Sequence, residues 1–141
     1  MGTGNVLHGE TGNDWLGVSG NSSQLFGGAG NDWLGATGDN NTLDGGTGND
    51  TLVAATGTHQ GDVFNYRASY AQDEIIGFSR HQTGGTDMVS IQGFGVTTFA
   101  QLQTLMTQSG VDTVITFDTA DILTIRNVLP GEWQATDFQR A

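Results

Sequence analysis

The sequence predicts an all-β fold: a coil of short parallel strands, eighteen residues to the coil, closed by a β-rich C-terminal cap with one short helix. Three observations carry this. Leu7, Leu16, Leu25, Leu34, Leu43 and Leu52 recur every nine residues without a slip. Glycine-rich turns separate them. The residue two places before each leucine runs Asn5, Asp14, Ser23, Asp32, Asn41, Asp50, so aspartate alternates with a neutral polar side chain.

The leucine step sets the strands. Neither a helix nor a hairpin meander gives that register, whereas short strands joined by short turns do. Side chains alternate between the two faces of a strand, so each leucine points inward and its neighbours outward. Stacked coils then share one continuous apolar core. Glycine occupies the turns, where positive φ is needed or a side chain would clash.

The aspartate alternation doubles the period to eighteen: one coil, two strands, one turn of each kind. Gly9-Glu10-Thr11-Gly12-Asn13-Asp14, Gly27-Gly28-Ala29-Gly30-Asn31-Asp32 and Gly45-Gly46-Thr47-Gly48-Asn49-Asp50 stack along one edge. Val18-Ser19-Gly20-Asn21-Ser22-Ser23 and Ala36-Thr37-Gly38-Asp39-Asn40-Asn41 form the other, where amides and hydroxyls can satisfy one another.

The period breaks over 54–62, where Thr58-His59-Gln60-Gly61 lengthens the turn ahead of Asp62, which reads as a turn residue. Residues 1–62 are therefore taken as the repeats and 63–141 as a capping region. Asp73 falls where the next aspartate on the Asp50 edge is expected. Beyond it, 87–92, 112–117 and 121–128 read as strands, with period-two alternation and β-branched residues clearest in 112–117. Phe99, Leu102, Leu105 and Met106 follow helical spacing, with Thr97 or Thr98 as N-cap and Gly110 as the stop. A cap is needed physically, because an open coil end exposes its leucines and its strand edges.

Composition narrows the function. The 141 residues include 23 Gly, one Pro, no Cys, and four Arg against fifteen acidic residues, for a net charge of −11. That balance disfavours nucleic acid and anionic membrane as partners and favours cations. Residues 1–62 hold seven acidic side chains and no basic one. No segment is apolar enough to span a bilayer, and no signal peptide is visible. Met1-Gly2-Thr3-Gly4 runs straight into repeat material, which suggests a segment of a longer chain. His8, His59 and His81 are isolated from any nucleophilic or zinc-binding partner. The chain is read as non-enzymatic.

Residues 9–53 resemble the RTX (repeats-in-toxin, hemolysin-type) calcium-binding family, whose nonapeptide G-G-x-G-x-D-x-U-x is matched by residues 27–35. The resemblance implies a right-handed parallel β-roll with calcium between successive turns on one edge. Such a cation takes six to eight oxygen ligands, many of them carbonyls, at about 2.3–2.6 Å. Carried over residue by residue, a first site uses Gly9, Thr11 and Asp14 with Gly28, Gly30 and Asp32. A second uses Gly27, Ala29 and Asp32 with Gly46, Gly48 and Asp50, so Asp32 serves both. A third is proposed from Gly45, Thr47 and Asp50 with Asp73. Glu10 departs from the motif, and the Asn/Ser edge lacks its aspartates, so little or no calcium is expected there.

The same resemblance implies a secreted bacterial protein, an N-terminal parent domain and export by type I secretion machinery. The cap resembles the C-terminal end of RTX domains, which carries the secretion signal. Acidic, glycine-rich repeats favour disorder without the ion, so calcium binding and folding are expected to be one event. The alternative is a calcium-dependent polysaccharide- or surface-binding module. Trp15 and Trp33 lie eighteen apart and precede inward leucines, so both should face outward, about 4.8 Å apart, as a ligand platform or a docking patch.

Overall fold

The computed structural model describes residues 2–55, 61–80 and 86–140. Two sheets face each other across the leucine core. One runs β1 (Val6–Thr11), β3 (Gln24–Ala29), β5 (Thr42–Thr47), β7 (Val63–Arg67), β9 (Met88–Gln92) and β13 (Phe138–Arg140). The other runs β2 (Trp15–Ser19), β4 (Trp33–Thr37), β6 (Thr51–Ala54), β8 (Gln72–Ile76), β12 (Ile122–Ile125), β11 (Asp112–Thr116) and β10 (Met106–Ser109). Odd and even strands of the roll fall in different sheets and pair in parallel with the next coil, which makes this a parallel β-roll.

The inward column of the first sheet reads Leu7, Leu25, Leu43, Phe64, Val89, Phe138, and that of the second Leu16, Leu34, Leu52, Ile75, Ile125. From Leu25 onward these side chains are at most 5% exposed, while Leu7 at the end of the roll is only half-buried. Each fully buried side chain of this size stabilises by about 1.5–3 kcal/mol.

The broken sequence period at 54–62 does not break the strand pairing. β7 pairs with β5, β8 with β6 and β9 with β7. The rungs widen instead, from 18 residues to 21, 23 and then 25. Longer turns are absorbed at the edges because the ladder constrains only the strands.

The cap is an antiparallel meander of β10, β11 and β12, with β12 laid parallel onto β8 and β13 onto β9. Helix α1 (Phe99–Thr104) begins on Thr98, whose hydroxyl accepts the Gln101 N–H in a capping box. It ends sooner than its apolar spacing predicts. Met106 pairs with Ile115 in β10, and Gly110 (φ 64°) serves the β10–β11 hairpin turn rather than stopping the helix. Strand pairing wins there because β10 covers the edge of β11. Arg126 bridges Glu74 of β8 to Asp112 of β11 and fastens cap to roll.

Candidate metal-binding edge

The turns from the first sheet to the second stack Asp14, Asp32, Asp50 and Asp73 in one file. The last three carboxylates each send one oxygen to the coil before: Asp32 Oδ1 accepts the Asp14 N–H at 2.8 Å, Asp50 Oδ1 the Asp32 N–H at 2.7 Å, and Asp73 Oδ1 the Asp50 N–H at 2.9 Å. The second oxygen, Oδ2, of all four is buried and has no hydrogen-bond partner. A buried carboxylate oxygen without a donor is costly, and an opposite charge is the ordinary remedy.

The glycines show what lies around those oxygens. A Cβ on Gly9 would stand 2.6 Å from the Gly27 carbonyl oxygen and 2.8 Å from Asp14 Oδ2. One on Gly27 would strike Asp32 Oδ2 and the Gly45 carbonyl, and one on Gly45 would strike Asp50 Oδ2. The parallel pairing steps over these residues, passing from His8↔Phe26 to Glu10↔Gly28 and from Phe26↔Asp44 to Gly28↔Gly46. Carboxylate and carbonyl oxygens thus converge over bare glycine α-carbons. No three His, Cys, Asp or Glu side chains come together among the described residues. A cation here would therefore draw most of its ligands from the backbone, which suits calcium.

Of the expected donors, the structure brings Gly9 and Asp14 together with the Gly27 carbonyl, and Gly27 and Asp32 with the Gly45 carbonyl. The Ala29 and Thr47 carbonyls already accept the N–H of Gly12 and Gly30, at 2.8 and 2.9 Å. Gly28, Gly30, Gly46 and Gly48 all have positive φ, and a Cβ on any of them would meet a carbonyl of the preceding coil. Glu10 also has positive φ (71°), but no coil lies on that side among the described residues.

Burial is the main cause that pushes Asp50 up to about 6 and Asp73 up to about 8. Their backbone hydrogen bonds oppose the rise, and neighbouring aspartates add to it. Asp73 is 3% exposed; Arg67 instead pairs with Asp44 at 3.2 Å, and Arg80 with Glu132 at 3.1 Å.

The opposite edge repeats the rung with other chemistry. Ser23 Oγ accepts the Asn5 N–H, Asn41 Oδ1 the Ser23 N–H, Asp62 Oδ1 the Asn41 N–H and Asp87 Oδ1 the Asp62 N–H. Asp62 is therefore a rung of this ladder and not merely a turn residue, and Asp87, read only as the start of a strand, is the next rung. Burial pushes Asp62 up to about 6, while the Asn41 N–H on its Oδ1 opposes the rise, and its Oδ2 is buried without a hydrogen-bond partner. A third ladder was also missed: Asn13 Oδ1 accepts the Asn31 N–H, Asn31 Oδ1 the Asn49 N–H and Asn49 Oδ1 the Gln72 N–H. The repeated Gly-Asn-Asp triplet was its only signal in the sequence.

On the outer face of the second sheet, Trp15 and Trp33 stack with ring centroids 4.1 Å apart, and Trp15 is 76% exposed. They flank an apolar groove of about 440 Å³ floored by Gly17, Gly35 and Ala36. His8 stacks on Phe26 at the surface, and His59 and His81 lie outside the described residues.

A family model for the RTX calcium-binding nonapeptide repeat matches residues 2–16 and 19–52, in four copies. Among solved structures, the crystal structure of the extracellular lipase LipA from Serratia marcescens resembles the chain with a TM-score of 0.75 and 24% sequence identity. The likeness covers 95% of this chain and 21% of that one, so the chain spans about a fifth of the lipase's length and shares its fold over that part. No curated protein matches the chain.

Proposed function

Because the repeats of this chain belong to the RTX calcium-binding nonapeptide family, we propose that it is a non-catalytic module that folds on binding calcium. It serves as the C-terminal folding and type I secretion domain of a larger exported protein. One observation carries this reading: the file of Asp14, Asp32, Asp50 and Asp73, whose Oδ2 atoms are all buried without a donor while the Oδ1 atoms of Asp32, Asp50 and Asp73 form the ladder.

Three sites follow, one between each successive pair of turns, with Asp32 and Asp50 each facing two of them. Bound calcium supplies the positive charge that the buried oxygens lack and a coordination number that carbonyls can fill. The residues do the rest. Glycine keeps the α-carbons bare so that oxygens converge, the Oδ1 rungs fix the rotation of the Asp32, Asp50 and Asp73 carboxylates, and the leucine core holds the coils in register. Without a cation, buried aspartates of neighbouring coils raise one another's affinity for protons and oppose stacking. Binding free energy then becomes folding free energy. A ligand required at the roughly 10⁻⁴–10⁻³ M typical of extracellular calcium modules would leave the chain unfolded inside the cell and fold it outside.

The test is circular dichroism of the EDTA-treated protein during a calcium titration. β-Structure that rises with bound calcium is the expected result, and full β-structure before any addition sinks the reading.

The exposed face of Trp15 favours a second reading, a calcium-dependent polysaccharide-binding module whose indole stack seats a sugar ring. A glycan screen comparing the wild type with Trp15→Ala/Trp33→Ala decides it, and no binding by the wild type removes it.

A further inference from the structure

The last turn on the aspartate edge differs from the others in having no glycine. Its two positive-φ residues are Ser69 (74°) and Ala71 (68°), where the previous turn has Gly46 (98°) and Gly48 (122°). L-residues resist that conformation, so something must hold it. In the earlier coils the N–H at the second of these positions donates to the next coil: Gly12 to the Ala29 carbonyl at 2.8 Å and Gly30 to the Thr47 carbonyl at 2.9 Å. After residue 71 no further turn of that kind follows among the described residues.

Asp121 of the cap takes its place. This side chain is 5% exposed, and its Oδ1 accepts the Ala71 N–H at 2.9 Å while its Oδ2 accepts the Ser69 N–H at 3.0 Å. Asp118 Oδ1 holds it in turn, accepting the N–H groups of Asp121 at 2.8 Å and Ala120 at 2.7 Å. The Ala71 carbonyl is occupied as well, by the Ile122 N–H at 3.0 Å and the Tyr66 hydroxyl. Two residues further on stands Asp73, whose Oδ1 accepts the Asp50 N–H.

We infer that Asp121 is a positioning residue for calcium, a cap carboxylate that substitutes for the missing next coil and sets the 69–73 turn so that Asp73 completes the third site. Both of its oxygens are spent on backbone donors, so it acts through the turn and is not itself a ligand. Occupancy of the last site is thereby tied to a docked cap. The inference rests on the assignment of Asp73 to a calcium site made above.

The experiment counts calcium bound per full-length chain by equilibrium dialysis, with circular dichroism in saturating calcium alongside. Wild type binds one more ion than Asp73→Asn. Asp121→Ala loses that same ion, its affinity falling at least tenfold, and combining it with Asp73→Asn loses no more. Adding Ser69→Gly and Ala71→Gly to Asp121→Ala restores the ion, because glycine adopts positive φ unaided. A general structural defect or a lost ligand would not be cured that way. An Asp121→Ala variant with the wild-type count and affinity overturns the inference, as does failure of the glycine pair to restore the ion. If Asp73→Asn binds as many ions as wild type, the third site itself fails, and that result is separate from either.

Discussion

The two edges of the roll are built on one plan and differ in what the plan leaves over. On both, a backbone N–H of one coil donates to a side-chain oxygen of the next: Asp32, Asp50 and Asp73 on one side, Ser23, Asn41 and Asp62 on the other. A serine has no second heavy atom to satisfy. Asparagine's second atom is a neutral donor, and although Asp62 Oδ2 is also buried without a hydrogen bond, its neighbours in the ladder are Asn41 and an Asp87 whose Oδ2 accepts the Ser79 N–H at 2.8 Å. An aspartate's second atom is an anionic acceptor, and on the first edge every neighbour in the file is the same. The ladder is thus indifferent to which residue supplies the rung, while the proposed ion depends on it. On this reading, structure and metal binding are separable in the sequence even though they share a position.

Gly27→Ala gives the largest separation of the edges. Its Cβ lands on Asp32 Oδ2 and the Gly45 carbonyl, so the second site should be lost. At a calcium concentration a thousandfold above Kd, that removes about 4 kcal/mol of calcium-linked stability, read as a drop in the urea midpoint relative to wild type in the same calcium. Gly17→Ala, with nothing within 4 Å of its Cβ, should leave the midpoint unchanged. Asn41→Ala removes a rung from the other edge and leaves the Ser23 N–H without its acceptor. It should cost about 1–3 kcal/mol in saturating calcium while leaving the number of ions bound unchanged.

pH should act on the metal-free chain in the acid-stabilising sense. Asp50 and Asp73 have folded-state values of about 6 and about 8, above the unfolded value of 3.8, so between those limits the folded state binds more protons. Stability without calcium should therefore fall as pH rises from about 4 to 8. Calcium needs the deprotonated carboxylates, so half-saturation should move to higher calcium as pH drops. Titrations in EDTA and in calcium at pH 5 and pH 8 check both signs.

The leucine columns, the aspartate file and a helix cap at Thr97 or Thr98 were legible because each is a local signal repeated at a fixed interval or confined to one turn. What was not legible is long-range. Asp62 and Asp87 belong to a ladder whose rungs are 21 and 25 residues apart, off the period that reveals the others. Asp121 serves Ser69 and Ala71 from 52 and 50 residues away, and no spacing rule points to it. Met106 continues the helical pattern of Phe99 and Leu102, and only the edge of β11 explains its place in a strand.

The central claim is that ions follow the unbroken file of aspartates on one edge, and not an isolated aspartate rung on the other. Calcium bound per chain, measured for the wild type and for Asp14→Asn, Asp32→Asn and Asp62→Asn, tests it most directly. Asp14→Asn should lose one ion, Asp32→Asn two because it faces two sites, and Asp62→Asn none. Equal losses from Asp14→Asn and Asp32→Asn, or an ion lost with Asp62→Asn, would contradict it.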